Sequence, residues 1–207
     1  PRSPVLSPDG ETLYICHQFK NEVTAFNTAS GKETGRAALN REPFAMDITP
    51  DGGLLLVTNL LPHGRSDLAA LDESITLSAE VSLINTASMT VETDIPLTDG
   101  AHSLLGLDIS SDGNYAFVTH VLARYAIPPT QIENGWINSN GLAIIDIKNR
   151  QLKNTVLMDS LCQGAANLWS VDVAQNPIFI TSAGAHEIIT LNETPFLAAL
   201  ENQADLT

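Results

Sequence analysis

Five histidines are the residues of this 207-residue chain best suited to hold a metal or move a proton, because neutral imidazole is a good nitrogen ligand and titrates near neutrality. His17 and His120 close two matching phrases, "LYICH" and "FVTH", at a place where two further copies carry Asn59 and Ser182. Equivalent places point in equivalent directions, so His17 and His120 are candidate ligands of one transition metal if a shared axis brings them together. His63, His102 and His186 fall in or beside loops, in company with Arg41, Arg65, Arg124, Tyr125, Trp136, Trp169 and Glu187. The plainer alternative for each histidine is a loop or strand-end side chain bonded to a backbone carbonyl. Asp67, Asp72, Glu73 and Glu80 offer oxygen ligands for Ca²⁺ but lack EF-hand spacing, and a solvated acidic loop accounts for them. "GWINSNG", residues 135–141, sets an aromatic ring beside the amide side chains of Asn138 and Asn140. It could stack on a sugar or planar ligand, or simply return the chain into a strand.

Catalytic templates are absent from the sequence. It has no Gly-x-Ser-x-Gly elbow, phosphate loop or His-Glu-x-x-His, and the "HE" at 186–187 has no second histidine four residues on. No catalytic residue is assigned.

The elements that must position these side chains come from a repeat. "SPDGETLYICH", "TPDGGLLLVTN" and "SSDGNYAFVTH" share one turn phrase, and "AQNPIFITS" is a degenerate fourth copy. Short runs "AMDI", "GLDI" and "SVDV" precede the last three, and "NEVTAFNTASGK", "AEVSLINTASMT", "NGLAIIDIKNRQ" and "HEIITLNE" follow the four. Runs rich in Val, Ile, Leu, Thr, Phe and Tyr bounded by Asp-Gly or Asn-Thr-Ala-Ser clusters read as strands and turns. Four strands per unit are predicted: 4–7, 12–17, 22–27 and 33–39; 44–49, 54–59, 79–85 and 90–97; 104–110, 115–120, 141–147 and 151–158; then 169–174, 177–182 and 186–192 with no fourth. The fold class is all-β, a β-propeller of four-stranded antiparallel blades with about four blades present. Blade limits are 1–39, 40–97, 98–158 and 159–192, and 193–207 is a short helical tail capped near Thr194. Radial stacking buries both faces of each sheet, which explains continuously apolar strands such as "LLLVTN".

Meander topology then sorts the loops. Turns between strands one and two and between three and four share one rim and are short. The opposite rim takes the insertions 60–78 and 121–140 and the connections 40–43, 98–103 and 159–168. All five histidines and the arginines, tryptophans and Glu187 named above are expected there, and long loops on a rigid scaffold are where binding concentrates.

The same phrases, over residues 4–192, resemble the YVTN family of β-propeller repeats of prokaryotic surface-layer and surface-antigen-like proteins. The stretch "THVLARYAIPPTQIENGWINSNGLAIID" is similar to a subgroup of large secreted propellers, some with c-type cytochrome or peroxidase-like domains, although no Cys-x-x-Cys-His occurs here. The resemblance implies an extracellular, cell-surface or periplasmic binding or scaffold module. Its ligand-binding rim would carry His17, His63, His102, His120, Arg124, Trp136, Trp169, His186 and Glu187. The expected partner is a protein, a glycan, further blades or a neighbouring cytochrome c or peroxidase-like domain. The other reading is an enzyme on that rim, either a lactonase-like hydrolase or a histidine-metal oxidoreductase.

Composition narrows the field. With 24 acidic against 10 basic residues the formal charge is −14, and binding nucleic acid needs the Lys/Arg stripes this chain lacks. No apolar run reaches bilayer-spanning length. Cys16 and Cys162 are too few for a disulfide framework and are expected as free thiols. Since four blades are few for a closed ring, the chain is expected to be a piece of a longer protein, or else to pair with a second copy.

Overall fold

The computed structural model describes residues 1–62, 77–124, 128, 130, 137–159, 164–173 and 176–203, the last three in backbone only. The insertion containing His63, Arg65, Asp67, Asp72 and Glu73, together with Tyr125, Trp136 and Cys162, lies outside these residues.

Each predicted unit is an antiparallel meander. The first holds β1 (Arg2–Leu6), β2 (Thr12–His17), β3 (Glu22–Asn27) and β4 (Glu33–Ala38). The second holds β5 (Pro43–Ile48), β6 (Leu54–Asn59), β7 (Glu80–Asn85) and β8 (Thr90–Pro96). The third holds β9 (Ala101–Ile109), β10 (Tyr115–Ala123), β11 (Asn138–Asp146) and β12 (Gln151–Leu157). The fourth has, among the described residues, three strands, β13 (Leu168–Asp172), β14 (Ile178–Ser182) and β15 (Glu187–Leu191), followed by α1 (Glu193–Gln203). The first strands of successive sheets pack serially, β1 on β5, β5 on β9 and β9 on β13, so they line a common axis from which the sheets fan outward. This is a four-bladed arrangement of β-propeller type.

The turns that recur in sequence recur in structure for one reason. In Ser7-Pro-Asp-Gly, Thr49-Pro-Asp-Gly and Ser110-Ser-Asp-Gly, the first hydroxyl donates to the Asp carboxylate two residues on, at 2.5, 2.6 and 2.6 Å. Each glycine takes a left-handed φ of 72 to 75°, a conformation that costs glycine little.

Alternation of side chains sends the two faces of each blade into two different cores. Leu55 and Val57 of β6 pack against blade one, beside Tyr14, Cys16, Val23 and Ala25. Leu56, between them, packs against blade three with Leu104, Ala116, Val118 and Ala143. Phe117 of β10 faces blade four, where Leu168, Val171, Ile178 and Ile180 meet Leu200 of α1. Three apolar layers between four sheets therefore replace a single core, which is why a blade alone could not bury its faces.

The third blade departs from the expected limits. β10 runs three residues past its expected end and β11 begins three residues before its expected start, with Val121, Leu122 and Ala123 paired to Asn140, Ser139 and Asn138. The polar "NSN" reads as loop by composition, yet an established ladder register satisfies its backbone groups as strand. His102 likewise lies within β9, and α1 begins at Glu193, one residue before the expected cap.

Candidate functional site at the loop-bearing rim

The β1–β2, β5–β6 and β9–β10 turns share one rim, and the β2–β3 and β14–β15 loops with the inter-blade connections share the other. His17 ends β2, half-buried, beside a shallow hollow of about 370 Å³ formed by Pro1, Arg2, Gln18, Phe19 and Lys20. His102 is half-buried near the start of β9 with Nδ1 2.9 Å from Ser103 Oγ, and burial lowers its pKa. His186 is exposed in the β14–β15 turn at φ 57°, one residue before β15 rather than within it. Glu187 opens β15 opposite Ser182. Arg124 is exposed, its backbone N–H donating to Ile137 O at 2.8 Å.

His120 is a different case. It is 1% exposed, its Nδ1 lies 3.2 Å from Val121 O, and its Nε2 has no partner. Burial, then the nearby His102 charge, outweighs the carbonyl contact and pushes its pKa down to about 4, so the ring is neutral at pH 7. The imidazole occupies the space beside Gly141, where a Cβ would stand 2.6 Å from Cε1. Its face is fixed by alternation: Ala116 and Val118 point into the layer between blades two and three, and His120 follows them. His17 points to the side of blade one opposite Tyr14 and Cys16, away from blade two. With blade two between them, the expected sharing of one metal by His17 and His120 is not an arrangement this fold produces. Among the described residues no group of three or more His, Cys, Asp or Glu side chains converges as a metal site would require.

What converges at the loop end of the axis is aromatic. Trp169 of β13 is 48% exposed and meets Phe44 of β5 edge to face, with ring centroids 6.4 Å apart. The Arg2 guanidinium sits 3.5 Å from the centre of the Phe44 ring, a cation–π geometry. Arg2, Phe44 and Trp169 occupy the same place in the inner strands of blades one, two and four. The sequence reading found Trp169 but missed Arg2 and Phe44. Their signal was positional, since each stands three residues before the site of the recurrent Asp.

That recurrent Asp is the second feature missed. Asp47 and Asp108, from "AMDI" and "GLDI", hydrogen-bond each other across blades two and three. Asp47 Oδ2 accepts from Ile109 N at 2.9 Å and Asp108 Oδ2 from Val173 N at 2.5 Å. Each inner-strand carboxylate thus holds the backbone of the following blade. Two carboxyl groups in contact share a proton. Burial foremost, with Asp47 adding a hydrogen bond and its charge, drives Asp108 up to about 7, and burial raises Asp47 as well.

Comparison with known proteins sets the fold in context. No protein-family model matches the chain, so the YVTN resemblance rests on the repeat phrases alone. The chain is 24% identical to hydrazine synthase subunit beta of Kuenenia stuttgartiensis over 162 residues, 77% of this chain and 40% of that protein. Among solved structures, Kuenenia stuttgartiensis hydrazine synthase superposes with a TM-score of 0.60 at 20% identity, covering 96% of this chain and 66% of that one. The structure of U3-55K superposes with a TM-score of 0.57 at 10% identity, covering 92% and 51%. Similarity at these identities establishes the propeller-type fold. The chain spans two fifths of the length of the curated relative.

Proposed function

We propose that this chain is a binding or scaffold module of a secreted or cell-surface assembly, and that its loop-bearing rim docks a protein partner. The observation that carries this reading is the half-exposed Trp169 at the loop end of the axis, backed by Phe44 and Arg2. A large aromatic side chain seated on fixed neighbours loses little conformational freedom on contact, which is why such residues act as anchors. The −14 net charge suits a basic partner, such as a redox domain of c-type cytochrome or peroxidase type, through steering over long range. The relative named above is itself called a subunit of a synthase, in keeping with a role inside a larger complex.

Lysine placement makes the reading testable. Lys20 lies on the loop-bearing rim between β2 and β3, while Lys32 and Lys148 lie in turns on the opposite rim. Lysine-reactive cross-linking of the assembly isolated from its source should join partners to Lys20. Cross-links confined to Lys32 and Lys148 would overturn the choice of rim. Trp169→Ala should weaken association at least about 30-fold, the loss typical of an anchor, while leaving the melting temperature unchanged.

A further inference from the structure

We propose that a hollow between blades two and three, on the short-turn rim, is a binding site for a free amino acid, held by its ammonium and carboxylate groups at once. The hollow measures about 330 Å³, the size of a small-ligand site. Blade two contributes Asp51 and Leu54 to its lining, and blade three contributes Asp112, Ile147, Lys148 and Arg150. Both blades have a neighbour on either side, and the hollow belongs to the joint they share. It lies on the opposite rim from the one assigned above to a protein partner and does not depend on that reading.

The repeat explains why space is left at this joint. The β7–β8 and β11–β12 turns match residue for residue, with Asn85 paired to Thr90 and Asp146 to Gln151. Met89 and Arg150 therefore hold the same left-handed place, at φ 52° and 55°. Between blades one and two, Met89 is buried against blade one, where a Cβ on Gly35 would stand 2.5 Å from its Cγ. The Tyr14 hydroxyl closes the same joint by hydrogen-bonding Thr86, whose own hydroxyl donates to Gly52 O at 2.6 Å. Between blades two and three the places of Tyr14, Thr86 and Met89 carry Leu56, Ile147 and Arg150. Leu56 is shorter than tyrosine, Ile147 has no hydroxyl, and the half-exposed Arg150 guanidinium pairs with Glu92 Oε2 at 2.5 Å. The joint keeps its register but loses the side chains that fill its neighbour.

The charges around the hollow select the ligand. Asp51 uses Oδ1 for its own turn, accepting from Thr49 Oγ1 at 2.6 Å and Gly53 N at 2.9 Å, while its Oδ2 accepts no hydrogen bond among the described residues. Asp112 serves its turn in the same way, accepting from Ser110 Oγ and Asn114 N. Lys148 is exposed and, among the described residues, forms no ion pair, although both carboxylates line the same hollow. A simple anion would meet two carboxylates there, and a simple amine would meet Lys148 and Arg150. A dipolar ion instead gives its ammonium to Asp51 and its carboxylate to Lys148, and both contacts are charge-assisted hydrogen bonds. Leu54 and Ile147 offer apolar surface that suits a short aliphatic side chain, as in alanine or valine.

The test is isothermal titration calorimetry of the full protein with L-valine and L-alanine, beside isobutylamine and isovalerate, which each keep one of the two charges. At least one of the amino acids should bind with a Kd of about 1 mM or tighter, and the single-charge probes at least about 10-fold more weakly. Lys148→Gln, at an exposed site, should weaken amino-acid binding by about 10-fold or more. Arg150→Met, which restores the side chain that fills the neighbouring joint, should abolish binding without lowering the melting temperature; if that variant fails to fold, Lys148→Gln decides alone. No binding of either amino acid, equal binding of isobutylamine or isovalerate, or an affinity indifferent to both substitutions in folded protein would overturn the proposal. None of these outcomes bears on the protein partner of the other rim, which the cross-links to Lys20 decide.

Discussion

Replacing Asp108 by Asn should make the protein more stable at pH 8 and leave it unchanged near pH 4. In the folded chain Asp108 titrates at about 7 against an ordinary value of 3.8, so between those limits the native state holds more proton than the unfolded state. Stability contributed by this group is therefore full below pH 3.8 and is lost as pH rises toward about 7. At about 1.4 kcal/mol per pH unit the ceiling is about 4 kcal/mol. The carboxyl keeps partial contact with solvent, and screening halves the figure to about 2 kcal/mol. In the Asp108→Asn variant the new amide would still accept from Val173 N through its carbonyl oxygen and donate to Asp47, while the like-charge contact disappears. His102 and His120 act with the opposite sign, since burial lowers both pKa values and their stabilisation is lost as pH falls below 6.5. They are common to both proteins and cancel in the difference. Urea denaturation of wild type and Asp108→Asn at intervals from about pH 4 to about pH 8, followed by circular dichroism, gives that difference directly. It should grow with pH to about 2 kcal/mol. A difference that stays constant across the window, or an Asn variant less stable at pH 8, would refute the shared-proton account.

The remaining predictions are more local. Gly100→Ala should prevent folding or cost more than about 3 kcal/mol, because the backbone φ is 85° and a Cβ would lie 2.1 Å from Ala123 O; thermal melts check it. Gly141→Ala should cost about 1–3 kcal/mol by overpacking against the His120 ring, and His120→Ala in the same chain should recover part of that loss. Ser110→Ala removes a buried hydroxyl that donates to Asp112 at 2.6 Å and accepts from Tyr115 N at 3.0 Å, at about 1–2 kcal/mol by chemical denaturation. Cys16, wholly buried and with its thiol pushed up to about 12 chiefly by burial, should resist a thiol-modifying reagent until the protein is unfolded. Rapid labelling of Cys16 in folded protein, resolved by peptide mass, would contradict that burial.

The repeat phrases were enough to place every blade, because their chemistry is local. A hydroxyl, an Asp and a Gly within four residues close each hairpin by themselves. Runs of Val, Ile, Leu and Phe on both sides of the pleat are compatible only with sheets covered on two faces. Three strand-forming runs were equally plain in the last unit, and among the described residues its sheet has three strands. Limits were less legible where register overrides composition, as in Asn138–Asn140, whose polar side chains hide a continuing ladder.

Sequence alone thus determined the strands, the turns, the order of the blades and the rim that bears the loops, all of which follow from periodicity and short-range hydrogen bonding. Tertiary structure decided which side chains meet. It buried His120 beside Gly141 away from His17, set Arg2, Phe44 and Trp169 together, and brought Asp47 within a hydrogen bond of Asp108. Most of those partners stand on different blades, far apart along the chain. Only the fan of sheets about one axis, through the twist and bulges of their inner strands, fixes the angle at which they converge.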